Sequence, residues 1–264
     1  EQELDELEKA GIGVLTFHDP LYPPLLKKIY DPPPFLYYKG LPSEKDDRCL
    51  ALVGSRLGTP YGIRTTERLS WGLAGRGFTI ISGMARGIDT AAHHGALMAH
   101  GRTVAVLGSG LDIVYPKENE KLFHRIAEKG MVLSEFPLGT LPERQHFPIR
   151  NRIISGMSLG VVIVEATTRS GSLITARLAL DQGREVFAVP GSVDSFKSSG
   201  TNFLIKQGAK LVEHVQDILD EIPNEDGPAE DTLPETPIKE KEPPPDLSPE
   251  EQRIWELLEG ETLH

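Results

Sequence analysis

The chain has 264 residues, a single cysteine and a formal net charge of −11, enough for one large α/β domain with small attachments. Cys49 has no partner for an internal disulfide and suits a reducing, cytoplasmic setting. No apolar run reaches the roughly 18 residues of a membrane span, and the acidic, helix-like EQELDELEKA is unlike a signal peptide. The charge is uneven: residues 1–47 carry 5 Lys/Arg against 10 Asp/Glu, residues 48–215 carry 20 against 13, and residues 216–264 carry 3 against 16. The centre is therefore basic inside an acidic whole, so the overall charge does not exclude a nucleic-acid partner.

In chain order, residues 1–47 are expected to form a small N-terminal helical remnant followed by an extended, proline-punctuated connector, HDPLYPPLLKKIYDPPPFLYYKG. From Cys49 a regular alternation begins. Strands are predicted at 50–53, 79–81, 104–107, 132–133, 160–164 and 185–188. Helices are predicted at 61–75, 88–100, 117–129, 151–157, 173–183 and 202–207. Strands alternating with helices predict an α/β domain, placed at 48–220, whose mostly parallel sheet carries helices on both faces. Ligands of such sheets gather at the carboxyl ends of the strands. Residues 221–247 are acidic, rich in Pro and poor in apolar residues, which predicts a disordered linker. Ser248-Pro249-Glu250-Glu251 has the chemistry of a helix start, and 248–264 is expected to be the first helix of a truncated domain.

The predicted strand ends share a chemistry. They carry Gly54-Ser55-Arg56, then Ser82 and Gly83 with Arg86, then Gly108. Glycine lets a phosphate approach the backbone, and serine adds a hydroxyl donor. The apolar run ending at Val164 is flanked by a loop with Arg144, Phe147, Arg150, Asn151 and Arg152, and by Ser170-Gly171-Ser172 opening a helix. Free N–H groups and the dipole at a helix start suit an anion. Phe147 is read as lying in the cationic loop, either anchoring it or stacking on a base of single-stranded nucleic acid. Glu165 is placed to hold Arg150 or Arg152. Asp89 sits where a carboxylate caps a helix, and the adjacent His93 and His94 read as helix packing and surface. Neither the full Gly-x-Gly-x-x-Gly fingerprint nor a Gly-Lys-Ser/Thr phosphate loop is present. NAD and ATP are therefore not expected, and neither a cofactor, a metal nor a catalytic residue is called for.

Several ungapped motifs carry a family resemblance: Val53-Gly54-Ser55-Arg56, Ser82-Gly83-Met84-Ala85-Arg86-Gly87-Ile88-Asp89, Gly110-Leu111-Asp112-Ile113-Val114-Tyr115-Pro116, Arg150-Asn151-Arg152-Ile153-Ile154-Ser155 and Ser170-Gly171-Ser172-Leu173-Ile174-Thr175. Over about 48–215 the chain resembles the DprA/Smf (DNA-processing protein A) family. The resemblance implies an extended Rossmann-like domain with an N-terminal helical domain and a C-terminal winged helix, both expected to be cut short here. It implies a protein that binds single-stranded DNA without catalysis, protects incoming DNA in natural transformation and loads RecA recombinase. The DNA pocket would fall on Gly54, Ser55, Arg56, Arg144, Phe147, Arg150 and Arg152. A homodimer is expected through GTNFLIKQGAKLV, with Phe203, Leu204 and Leu211 at the interface. The rival is a nucleotide-binding enzyme of the LOG-type phosphoribohydrolase group. Those carry Pro-Gly-Gly-x-Gly-Thr-x-x-Glu, whereas the loop here, Thr168-Arg169-Ser170-Gly171-Ser172-Leu173-Ile174-Thr175, has no acid at the helix start.

Overall fold

Apolar runs with alternating side-chain directions organise the chain, whose computed structural model describes residues 2–222 and residue 248. The elements are α1 (Gln2–Ala10), β1 (Gly13–Thr16), β2 (Phe35–Gly40), β3 (Cys49–Gly54), α2 (Pro60–Ala74), β4 (Thr79–Ser82), α3 (Ile88–Met98), β5 (Thr103–Val106), α4 (Glu120–Lys129), β6 (Met131–Ser134), α5 (His146–Gly156), β7 (Ser158–Val164), α6 (Gly171–Asp181), β8 (Glu185–Ala188), α7 (Ser199–Lys206), β9 (Lys210–Leu211) and α8 (Val215–Leu219). They build one Rossmann-like sheet in the order β1-β2-β6-β5-β4-β3-β7-β8-β9. Pairing is parallel from β6 through β9, whereas β1 with β2 and β2 with β6 are antiparallel.

Period-two alternation sends successive residues of a strand to opposite faces. Cys49, Ala51 and Val53 of β3, with Val161 and Ile163 of β7, pack under Ile153 and Ile154 of α5, Met157 just after it, and Ala176 and Ala179 of α6. Leu50, Leu52, Val162 and Val164 pack on the other face with Leu69 and Leu73 of α2 and Ala92 and Ala96 of α3. Both faces are covered, which is why these strands read as unbroken apolar runs.

Strand order fixes where a ligand site can form. From β3 the chain steps outward through β4, β5 and β6, then crosses back by α5 to place β7 on the other side of β3. The connections after β3 and β7 thus leave in opposite directions, opening a crevice at the carboxyl ends of these two strands.

Two sequence expectations need correction. The stretch read as a separate remnant and connector supplies β1 and β2, which extend the same sheet through Tyr37 opposite Ser134 and Lys39 opposite Val132. These strands were hidden because Pro32, Pro33 and Pro34 immediately precede β2 and its partner lies far away in sequence. Helix α5 begins at His146, five residues before its predicted start. Pro148 reads as a breaker, but at the third helical position its missing N–H would have had no intrahelical acceptor. The linker and final helix expected after residue 222 lie outside the described residues, Ser248 excepted. No helix among the described residues is long and apolar enough to cross a membrane.

Candidate functional site

The crevice between β3 and β7 holds a cleft of about 510 Å³. One wall is the β3 turn with Gly54, Ser55 and Arg56, another is the α6 start with Ser170, Gly171 and Ser172, and Arg144 stands at the rim. The remaining wall is a face of α5. Phe147, Arg150, Asn151 and Ile154 all line the cleft, and their i, i+3, i+4, i+7 spacing is one helical stripe. Phe147 is therefore a helix residue in the first turn of α5, not a loop residue as the sequence suggested.

The cationic residues play different parts. The exposed Arg56 places its guanidinium 5.1 Å from the centre of the Phe147 ring. Arg150 is 5% exposed; its Nη1 donates to the Gly83 carbonyl at 2.8 Å and to the Val106 carbonyl, and its Nε donates to Asn151 Oδ1 at 3.1 Å. It ties α5 to the ends of β4 and β5. Burial pulls its pKa down to about 10, the nearby Asp89 works against that, and the group stays charged at neutral pH. A Cβ on Gly83 would lie 2.6 Å from this guanidinium, and one on Gly108 would lie 3.0 Å from the Phe147 ring. Both glycines thus leave room for the Arg150 and Phe147 side chains that line the cleft.

The α6 start is open to an anion. Ser170 makes no side-chain cap to it because its hydroxyl accepts from the Thr167 N–H at 2.8 Å. The hydroxyl of Ser172 is buried at the cleft wall without a hydrogen-bond partner. Uncapped donors and an orphan hydroxyl beside arginines are chemically suited to an anion. Among the described residues, Asp89 is the one acid on the cleft wall. It accepts from the Ala85 N–H at 3.2 Å, burial raises its pKa, and Arg150 opposes that rise. The sequence marked it as a helix cap; its place in the cleft follows from the β4 turn folding under Arg150.

Other expected site residues fall elsewhere. Arg152 lies off the cleft-facing stripe of α5, where it pairs with Asp31 at 3.2 Å and with Glu135. It fastens α5 to the segment before β2 and to the end of β6. Glu165 holds neither arginine: it accepts from the Thr59 N–H at 2.8 Å and from the Thr59 hydroxyl, supporting the start of α2. Ser82 is interior, its hydroxyl donating to the Leu52 carbonyl at 2.6 Å. Arg86 and Gly83 line an adjoining hollow instead, and Arg86 is engaged by Glu118. His93 is buried with Nδ1 2.7 Å from Thr103 Oγ1. At the far end of the sheet Phe203 and Leu211 are 51% and 39% exposed, whereas Leu204 packs against the core beneath α5 and α6. Leu204 is partly buried on the inward side of α7, and Phe203 is the more exposed of the two.

A family model described as "DNA recombination-mediator protein A" matches residues 13–223. Protein Smf of Synechocystis is 45% identical over 215 residues, covering 80% of this chain and 54% of its own length. The chain thus spans about half the length of that relative. Among solved structures, DNA processing protein A of Streptococcus pneumoniae aligns with a TM-score of 0.79 at 44% identity, covering 83% of this chain and 78% of that one. DNA processing protein A of Helicobacter pylori, described for its single-stranded DNA binding mode, aligns with a TM-score of 0.71 at 32% identity, covering 79% and 94%. Fold, motifs and matched length agree, and the chain belongs to the DNA recombination-mediator protein A family, whose relatives carry the names DprA and Smf.

Proposed function

We propose that this chain binds single-stranded DNA in the switch-point cleft, with phosphates on Arg56, Arg144 and the α6 start and a base against Phe147. It acts in the cytoplasm as a binding protein rather than an enzyme, works as a homodimer, protects incoming DNA in natural transformation and loads RecA recombinase onto it. One observation carries the reading: an uncapped helix start, exposed arginines and an aromatic ring converge on a single cleft. Such a surface meets a charged backbone and an unpaired base together, as duplex DNA with its stacked bases does not. The LOG-type alternative is disfavoured because Glu165 is held by Thr59 and loop 168–175 presents no acid.

The test is an anisotropy titration of the full chain with labelled poly-dT and with duplex of equal length across a salt series. Tighter binding to the single strand is expected, with affinity falling as salt rises, by a log–log slope of about 0.7 per phosphate neutralised. Duplex preference or salt-independent binding would count against the proposal. RecA assembly on a strand precoated with single-strand-binding protein should quicken when the chain is added; no change would remove the loading part alone.

A further inference from the structure

Beyond Phe147 lies a second hollow of about 280 Å³, lined by Leu57, Tyr115, Pro116 and Phe147 with Arg56 and Arg86 at its sides. It is continuous with the cleft, since Arg56, Phe147 and Arg150 belong to both. Its character is different. The Arg86 guanidinium is forked onto the Glu118 carboxylate, with Nη2 at 2.9 Å, so its charge is already answered. What the hollow offers is flat and apolar: Tyr115 is 46% exposed, Leu57 is 75% exposed, and the Tyr115 and Phe147 rings lie 6.0 Å apart at 31°.

We infer that this hollow is a second nucleobase site, in which a base adjacent to the one on Phe147 stacks on Tyr115 over Leu57 and Pro116. This rests on the single-strand reading of the cleft and adds to it a site and a residue. Intercalation between the two rings is excluded because it would need two stacking gaps, and 6.0 Å between centroids is already within the range of a single aromatic pair. The base therefore lies along the rings, with its phosphate left to Arg56. A hollow walled by aromatic and aliphatic carbon reads the face of a base rather than its edge, so the site tolerates any sequence. Arg86 offers little to a free phosphate because it is already paired with Glu118.

The test uses the full chain, short labelled poly-dT, and a strand of equal length built from abasic spacers. Tyr115→Ala should weaken poly-dT binding by roughly ten-fold, as expected for one lost stack, leave the salt slope as it was, and not alter affinity for the abasic strand. Tyr115→Phe should restore the loss. Arg56→Ala should weaken both strands and flatten the slope. If Tyr115→Ala binds poly-dT like the parent while Arg56→Ala does not, the second site is wrong and the cleft reading stands. If the parent fails to bind poly-dT, both fall. A measurement independent of any variant is photocrosslinking of the parent to a 5-iodouracil strand, where adducts on Tyr115 are expected. Adducts confined to other residues would overturn the inference.

Discussion

Arg150→Ala should separate support of the cleft from contact with the ligand. The guanidinium is buried and donates to two carbonyls at the ends of β4 and β5. Each hydrogen bond from a charged group is worth about 1.5–3 kcal/mol, so losing two costs roughly 3–6 kcal/mol. Water entering from the cleft softens this, and we expect about 3 kcal/mol. For a domain of this size each kcal/mol moves Tm by about 2–4 °C, which predicts a drop of roughly 6–12 °C. Thermal melts and urea titrations followed by circular dichroism measure it. Asp89 adds a pH signature. Its folded pKa is raised above the ordinary 3.8, so the native state binds more protons between these values and stability falls as pH rises through that window. Removing Arg150 takes away an opposing cation and widens the window upward. The deficit of the variant should thus be smallest at acid pH and grow toward neutrality. Arg150→Lys should recover little, because one ammonium does not reproduce the guanidinium fork. Arg56→Ala, at an exposed position, should stay within about 0.5 kcal/mol of the parent in stability while losing DNA affinity. If Arg150→Ala melts with the parent at neutral pH, the tie between α5 and the strand ends has been misread.

Three further outcomes are expected. Arg152→Met should lower stability by about 3 kcal/mol by leaving the partly buried Glu135 unpaired, with the salt slope of DNA binding unchanged; a reduced slope would return Arg152 to the DNA contacts. His93 has its pKa pulled down to about 3 by burial, from an ordinary 6.5. The unfolded chain therefore binds the extra proton between these values, and stability is lost as pH falls from about 6.5 toward 3. His93→Leu should flatten that part of a urea-stability profile, and an unchanged profile would show that another group dominates. Phe203→Arg should yield a folded monomer by light scattering if the β9 end of the sheet is the dimer contact, whereas a persisting dimer would place the interface elsewhere.

Much of this architecture was legible in the residues alone. The runs of β3 and β7 announced a sheet buried on both faces, and the Gly/Ser/Arg turns after β3 and before α6 marked strand-end turns that line the cleft, because these signals are local. The rest depended on distant chain. Strands β1 and β2 are short, follow prolines and exist through pairing with β6. The start of α5 turned on Pro148, and with it the face that brings Phe147, Arg150 and Asn151 together and turns Arg152 away. Glu165 met Thr59 rather than an arginine because the β3 turn delivers the start of α2 to the end of β7. Leu204 and Phe203 are adjacent and similarly apolar, yet one packs inward and the other faces out, since helical phase against the sheet assigns them. Composition and periodicity determined which elements form and what chemistry their ends carry. Only tertiary packing decided which arginine faces the cleft and which is a strut, because a guanidinium serves equally well for a phosphate or for a buried carbonyl until the fold places one of them within reach.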